Sequence, residues 1–206
     1  FVAGVCMAGM WPTFQRHPEL LAMTTPAIGL RGNVFSTFGN RVSTAIHMGT
    51  FEGRIHPSTV LGQNTIAAMV LSITMSSVLA VLAKGASVLF DLGATVSLGQ
   101  LLFVSVVGGI LAPVVVLLAT VTLTAVAVRR DWDLDNLVSP SVSTLGDVAT
   151  VPALWLAAMA LDWRSAPVAT AGYVLSAVGI AAFIWAVKTS NDGLSTIVVE
   201  SMPVLC

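Results

Sequence analysis

Asp147 is the only charge between Leu137 and Leu161, in a stretch that is otherwise largely apolar. A carboxylate at a bilayer centre costs roughly 2.5–3.5 kcal/mol, so it marks a functional site unless packing explains it. It has polar company at helical spacing. Ser139, Ser143 and Thr150 fall at i−8, i−4 and i+3, with Thr144 at i−3 on the flank; together they draw one polar stripe along an apolar helix. Such a stripe must face protein or water. From Leu137 to Asp147 is ten residues, about 15 Å at 1.5 Å per residue, which sets the carboxylate near the bilayer midplane. Pro152 removes an amide donor inside the same helix and suits a bend around a cavity. The plainer account of Asp147 is a protonated acid, or one paired with Arg31 or Arg41 as packing glue.

A second concentration of polar residues runs from Gly29 to Thr44. Glycines at 29, 32 and 39 permit close helix approach or an unwound turn, and Asn33, Ser36, Thr37, Asn40, Ser43 and Thr44 offer uncharged side-chain oxygens. A lining rich in oxygen and free of thiols suits a hard cation. Taken singly, each of these hydroxyls is as well explained by a bond back to its own helix.

The elements that position these groups follow from composition. The chain is 56% hydrophobic and 9% charged, with a mean hydropathy of +0.91, where soluble domains carry about 25% charged residues. It reads as an all-α integral membrane protein. Charges separate long apolar runs, which predict helices near 1–15, 18–50, 57–83, 95–128, 137–161 and 166–187. All but the first are long enough to span, giving five or six spans, and none alternates like a barrel strand. Residues 18–50 are mixed in character and read as a long or interrupted helix.

The chain opens on Phe1 in a run too short to cross a membrane, and its last residues, Thr196–Cys206, turn apolar again. One repeat of a tandem protein, with the tail beginning the second copy, accounts for both ends; trimmed ends account for them equally. Arg16, Lys84 and Arg164 fall on one side of the spans and Arg54, Arg129, Arg130 and Lys188 on the other. The Arg129-Arg130 pair makes the second side the cytoplasmic candidate, with the N-terminus there and the protein in the cell membrane as a multi-pass chain.

Asp131, Asp133, Asp135 and Asn136 form an acidic cluster at the mouth of the Asp147 helix. Asp135 and Asn136 are candidates for a cation entrance, and the alternative is a solvated loop that caps the helix. Cys6 and Cys206 imply no disulfide framework, and His17, His47 and His56 show no zinc spacing. No nucleophile elbow, P-loop or HExxH pattern is present, so the chain does not read as an enzyme, and a net charge of −1 gives no sign of a nucleic-acid partner.

Two motifs carry a family resemblance. Pro26-Ala-Ile-Gly-Leu-Arg-Gly-Asn-Val34 with Asn40-Arg-Val-Ser-Thr-Ala45, followed by Asp135-Asn-Leu-Val-Ser-Pro140 and Ser143-Thr-Leu-Gly-Asp-Val148, resembles the membrane domain of MgtE-type magnesium transporters. It is most similar to their two-repeat relatives in solute carrier family 41. The resemblance covers about residues 1 to 165. It implies a five-helix transport unit, here over 1–163; a further helix over 164–190 would link two fused repeats, which fits the account in which the tail over 191–206 begins a second repeat. It also implies that two units surround a cation pore on a two-fold axis, with Asp147 on that pore. Solute-carrier members commonly have an acid two residues after the Asn, where this chain has Phe35. Asp147 is then the sole carboxylate deep in the membrane of each unit.

The residue chemistry is consistent with that expectation. Mg2+ sheds water reluctantly and is held by one or two carboxylates with several waters retained. Two copies of Asp147 across a two-fold axis would meet one dication, with Asn33, Ser143 and Thr144 binding its water shell. Mn2+ and other divalent cations fit the same oxygens. Desolvation and mutual repulsion both favour the neutral acids, so protons are expected to compete with the cation at low pH. A proton-coupled transporter of a small solute, with Asp147 as the proton site and Arg31 binding an anion, is the alternative; a non-transporting assembly subunit is a third reading.

Overall fold

The computed structural model describes residues 2–53, 55–91, 93, 95–130, 134–162, 165–188 and 192–205. Within those helices it leaves the side chains of 125, 128, 129, 134–139, 192, 193, 200 and 202–205 undescribed. Every regular element in the described residues is helical. The order is α1 (Val2–Gly9), α2 (Trp11–Arg16), α3 (Pro18–His47), α4 (Val60–Leu89), α5 (Leu98–Arg129), α6 (Leu134–Ala158), a 3-10 turn (Met159–Asp162), α7 (Ser165–Lys188) and α8 (Asp192–Leu205).

Local chemistry sets the boundaries. The opening run breaks at Met10, ahead of Trp11-Pro12, and proline stands in the first turn of both α2 and α3, where its missing N–H is not needed. The α3 helix ends in a Schellman turn: Gly49 N–H donates to Ile46 at 3.0 Å and Thr50 N–H to Ala45 at 2.9 Å, with Gly49 at φ 70°. Thr59 caps α4 through the Gly62 amide at 3.1 Å. Ser97 and Gln100 form a capping box on α5.

Four helices are long and apolar enough to cross a membrane: Val60–Leu89, Leu98–Thr124, Pro140–Asp162 and Ser165–Lys188. Helix α3, at 30 residues, has the length of a span, but its polar residues keep its hydropathy below theirs. It is uninterrupted despite Pro26, which settles the choice between a long and a broken helix. Helix α6 also runs unbroken through Pro140 and Pro152.

The α6 helix lies between α3 and α5, and α4 packs on both α3 and α5. Small residues allow the closest approaches. A Cβ at Gly172 of α7 would stand 1.9 Å from the Gly99 carbonyl of α5, so only hydrogen fits at that crossing. Across α4 and α5, Ser105 Oγ donates to the Ser76 carbonyl at 2.7 Å and Ser72 Oγ to Gly109 at 2.9 Å. At one end of the bundle, buried Glu19 accepts the Val96 amide at 2.8 Å while Lys84 Nζ donates to the Val96 carbonyl. These two charges fix the α4–α5 linker to the start of α3. Leu82, Leu118, Val178 and Trp185 are among the large apolar side chains left outward on α4, α5 and α7, as a lipid-facing surface requires.

Candidate functional site

Asp147 faces α3 at Gly32. A Cβ on Gly32 would lie 2.8 Å from Asp147 Oδ1 and 3.7 Å from Ser143 Oγ, so the carboxylate rests directly on bare α3 backbone. One residue earlier on α6, Gly146 packs against Phe35 and the Arg31 carbonyl. Asp147 and Ser143 are half-buried. Asp147 makes no hydrogen bond or ion pair with any described residue, Arg31 and Arg41 included. Packing glue of the kind weighed from the sequence is therefore not its role.

Arg31 instead turns away into the core, with its Nη2 donating to Ser76 Oγ at 3.4 Å and to the Ser105 carbonyl at 3.3 Å. Phe35 is wholly buried against α6. Phe35 is thus part of the α3–α6 packing.

The polar residues of α3 divide by face. Gly29, Asn33, Asn40 and Thr44 are exposed, and Ser36 and Thr37 are half-buried beside them, which makes a continuous open strip at helical spacing. Thr37 and Thr44 hydroxyls donate back to the Asn33 and Asn40 carbonyls at 3.0 and 2.9 Å. On α6 the strip continues through exposed Pro140 and Thr144 to Asp147. Thr144 bonds back to Pro140 at 2.8 Å and opens on a groove of about 800 Å3 between α5 and α6 that also holds Thr122 and Leu145. Ser143 and Asp147 therefore lie against Gly32 of α3, next to exposed Asn33 in the chain, while Thr144 opens on the groove towards α5.

Thr150, by contrast, is fully buried and bonds to Gly146 at 2.6 Å, so it leaves the stripe. Pro152 borders an apolar pocket of about 270 Å3 with Cys6, Met10 and Trp155, away from Asp147 and without a break in the helix. The side chains of Asp135, Asn136 and Ser139 lie outside the described residues, as do Asp131 and Asp133. Sequence reasoning did not single out Gly32 as the contact for Asp147; three glycines on one segment were the signal, with nothing to rank them.

The MgtE family model, described as a divalent cation transporter, matches residues 24–157, which hold both halves of the open face. Solute carrier family 41 member 3 of Rattus norvegicus is 27% identical over 154 residues, covering 71% of this chain and 32% of that protein. The Mus musculus protein of the same name is 26% identical over 154 residues, covering 71% of this chain and 30% of its own length. The chain therefore spans about a third of the length of these curated relatives. No solved structure matches it. The chain belongs to the MgtE family of divalent cation transporters.

Proposed function

We propose that this chain supplies one half of a membrane path for divalent cations, Mg2+ foremost, formed where two such units face each other across the α3–α6 strip. The observation that carries this reading is the contrast in exposed surface: α4, α5 and α7 present large apolar side chains, whereas Asn33, Asn40, Thr144 and a half-free Asp147 share one open face. In hydrocarbon that face would set the Asp147 carboxylate and the polar side chains beside it against lipid, which is costly. A second copy or second repeat covers it and leaves water between.

In this reading α3 is the fifth span, since 30 residues reach about 45 Å at 1.5 Å per residue. Residues 1–163 form the transport unit, α7 links it onward, and the Arg129-Arg130 side lies in the cytoplasm. Asp147 binds the hydrated cation electrostatically, and Asn33, Ser143 and Thr144 order its water shell, with Asp135 and Asn136 drawing ions to the mouth. Mg2+ suits oxygen donors with several waters retained. Arg31 lies inside the core and away from the strip, so it is not placed to receive an anion there.

Divalent cation flux into liposomes, compared for the wild-type protein and Asp147→Ala, tests the reading. Wild-type flux that falls to background in the variant is the expected result. Flux in neither protein ends the transport reading, and equal flux in both ends the role of Asp147. Protons should compete for the same carboxylate: acidification lowers flux at limiting cation, and excess cation restores it. Inhibition by acid that excess cation does not relieve would remove the shared site.

A further inference from the structure

Arg31 is the largest wholly buried side chain in the structure, 1% exposed, and it carries a permanent charge. Its two hydrogen bonds, both from Nη2, are long at 3.3 and 3.4 Å and end on neutral oxygens. Nε and Nη1 find no acceptor among the described residues, and no described carboxylate pairs with it. Stripping water from a guanidinium without a counter-ion is strongly unfavourable. Adhesion of α4 to α5 does not call for it, because the Ser72 and Ser105 hydroxyls already bridge those helices. An aliphatic side chain of similar length would fill the same space without the desolvation penalty.

The charge lies close to the proposed cation path, on the core side of α3. Arg31 precedes Gly32, on which Asp147 rests, and a Cβ at Gly146 would lie 3.7 Å from the Arg31 carbonyl. The guanidinium lies in the core against Ser76 of α4 and Ser105 of α5, one residue along α3 from the backbone that Asp147 touches, which sets the two charges on the order of 10 Å apart. At that separation, with water in the path holding the effective dielectric between that of protein and that of bulk water, a unit charge changes the affinity for a dication by about tenfold.

We propose that Arg31 is a fixed positive charge behind the path that weakens cation binding at Asp147, so that the ion is released rather than held. This rests on the reading of the α3–α6 face as a cation path. Two facing carboxylates in a membrane bind a dication tightly, and conduction requires a site weak enough to leave. A buried arginine on each unit offsets that attraction without blocking the path, and it acts twice as strongly on a dication as on a monovalent ion.

The test is the cation dependence of flux in liposomes for wild type, Arg31→Lys, Arg31→Met and Ser76→Asp. Arg31→Met removes the charge and should lower the half-saturating cation concentration about tenfold, with a smaller maximal flux because release slows. Ser76→Asp keeps the arginine but sets a carboxylate against it, so it should shift half-saturation the same way, and it covers the case in which Arg31→Met does not fold. Arg31→Lys keeps the charge and should stay within about twofold of wild type. Lower maximal flux at unchanged half-saturation in both neutralised variants would make Arg31 a packing residue and overturn the proposal. An equal shift in Arg31→Lys would assign the effect to shape and overturn it too. Wild-type protein without divalent flux sinks the transport reading and this inference together, whereas normal wild-type flux with an unmoved Arg31→Met half-saturation sinks the inference alone.

Discussion

At the residue scale the contact between Asp147 and Gly32 governs the site. A methyl group on Gly32 would come within 2.8 Å of Asp147 Oδ1, so Gly32→Ala must displace either the carboxylate or α3. The end of a half-buried carboxylate moves at little cost to the fold, so the effect falls on the site: flux should fall about tenfold, and the Asp147→Ala, Gly32→Ala double variant should lose no more than Asp147→Ala alone. Additive loss in the double variant would place the effect of Gly32 elsewhere. Gly29→Ala is the matched control, since a Cβ there meets nothing within 4 Å. Asp147 was legible in the sequence because one acid in an apolar run is an anomaly that hydropathy alone exposes. The partner was not, because glycines at 29, 32 and 39 are chemically identical and only the crossing of α3 with α6 separates them. The same holds for Arg31 and Arg41, equal as charges in the sequence but separated by packing that buries only the first.

At the element scale the helices were legible from apolar runs and their ends from prolines, glycines and caps. The α4 helix is the exception that teaches most: the run 57–83 predicts an end before Lys84, yet the helix continues to Leu89. Lys84 does not end it because its amine satisfies the Val96 carbonyl of the following linker, a partner twelve residues away that no local pattern shows. Helix α7, expected as a linking span, packs closely on the unit, through Gly172 on α5 and Gly179 on Ile73 of α4. Gly172→Ala forces a methyl into the Gly99 carbonyl at 1.9 Å. It should lower stability by about 1–3 kcal/mol, seen as a lower Tm in detergent. The protein that remains folded should keep the wild-type half-saturating cation concentration. A change in half-saturation with Tm intact would mean that the α5–α7 crossing communicates with the cation path.

At the scale of the whole molecule, one chain presents two kinds of outer surface, and hydropathy distinguishes only lipid from water. The α3–α6 strip fits neither, since it is too polar for hydrocarbon and lies beside apolar walls. In the proposed reading a second unit covers the strip, and the sequence of a single chain shows the strip but not its cover. The arrangement makes a geometric prediction. Gly29 is exposed on the strip with open space around it, and Val174 is 56% exposed on α7, so cysteines placed at these two positions sample the two surfaces with little disturbance. In protein whose Cys6 and Cys206 are replaced by serine, a short bifunctional thiol reagent should join Gly29→Cys to its counterpart in a second unit within the membrane. Val174→Cys, facing lipid, should remain unlinked under the same treatment. Dilution into excess lipid separates chance encounters from a standing assembly, because it abolishes the first and leaves the second. Efficient linking at Val174 with none at Gly29 would move the two-fold contact to α7 and leave the strip facing something other than a second copy.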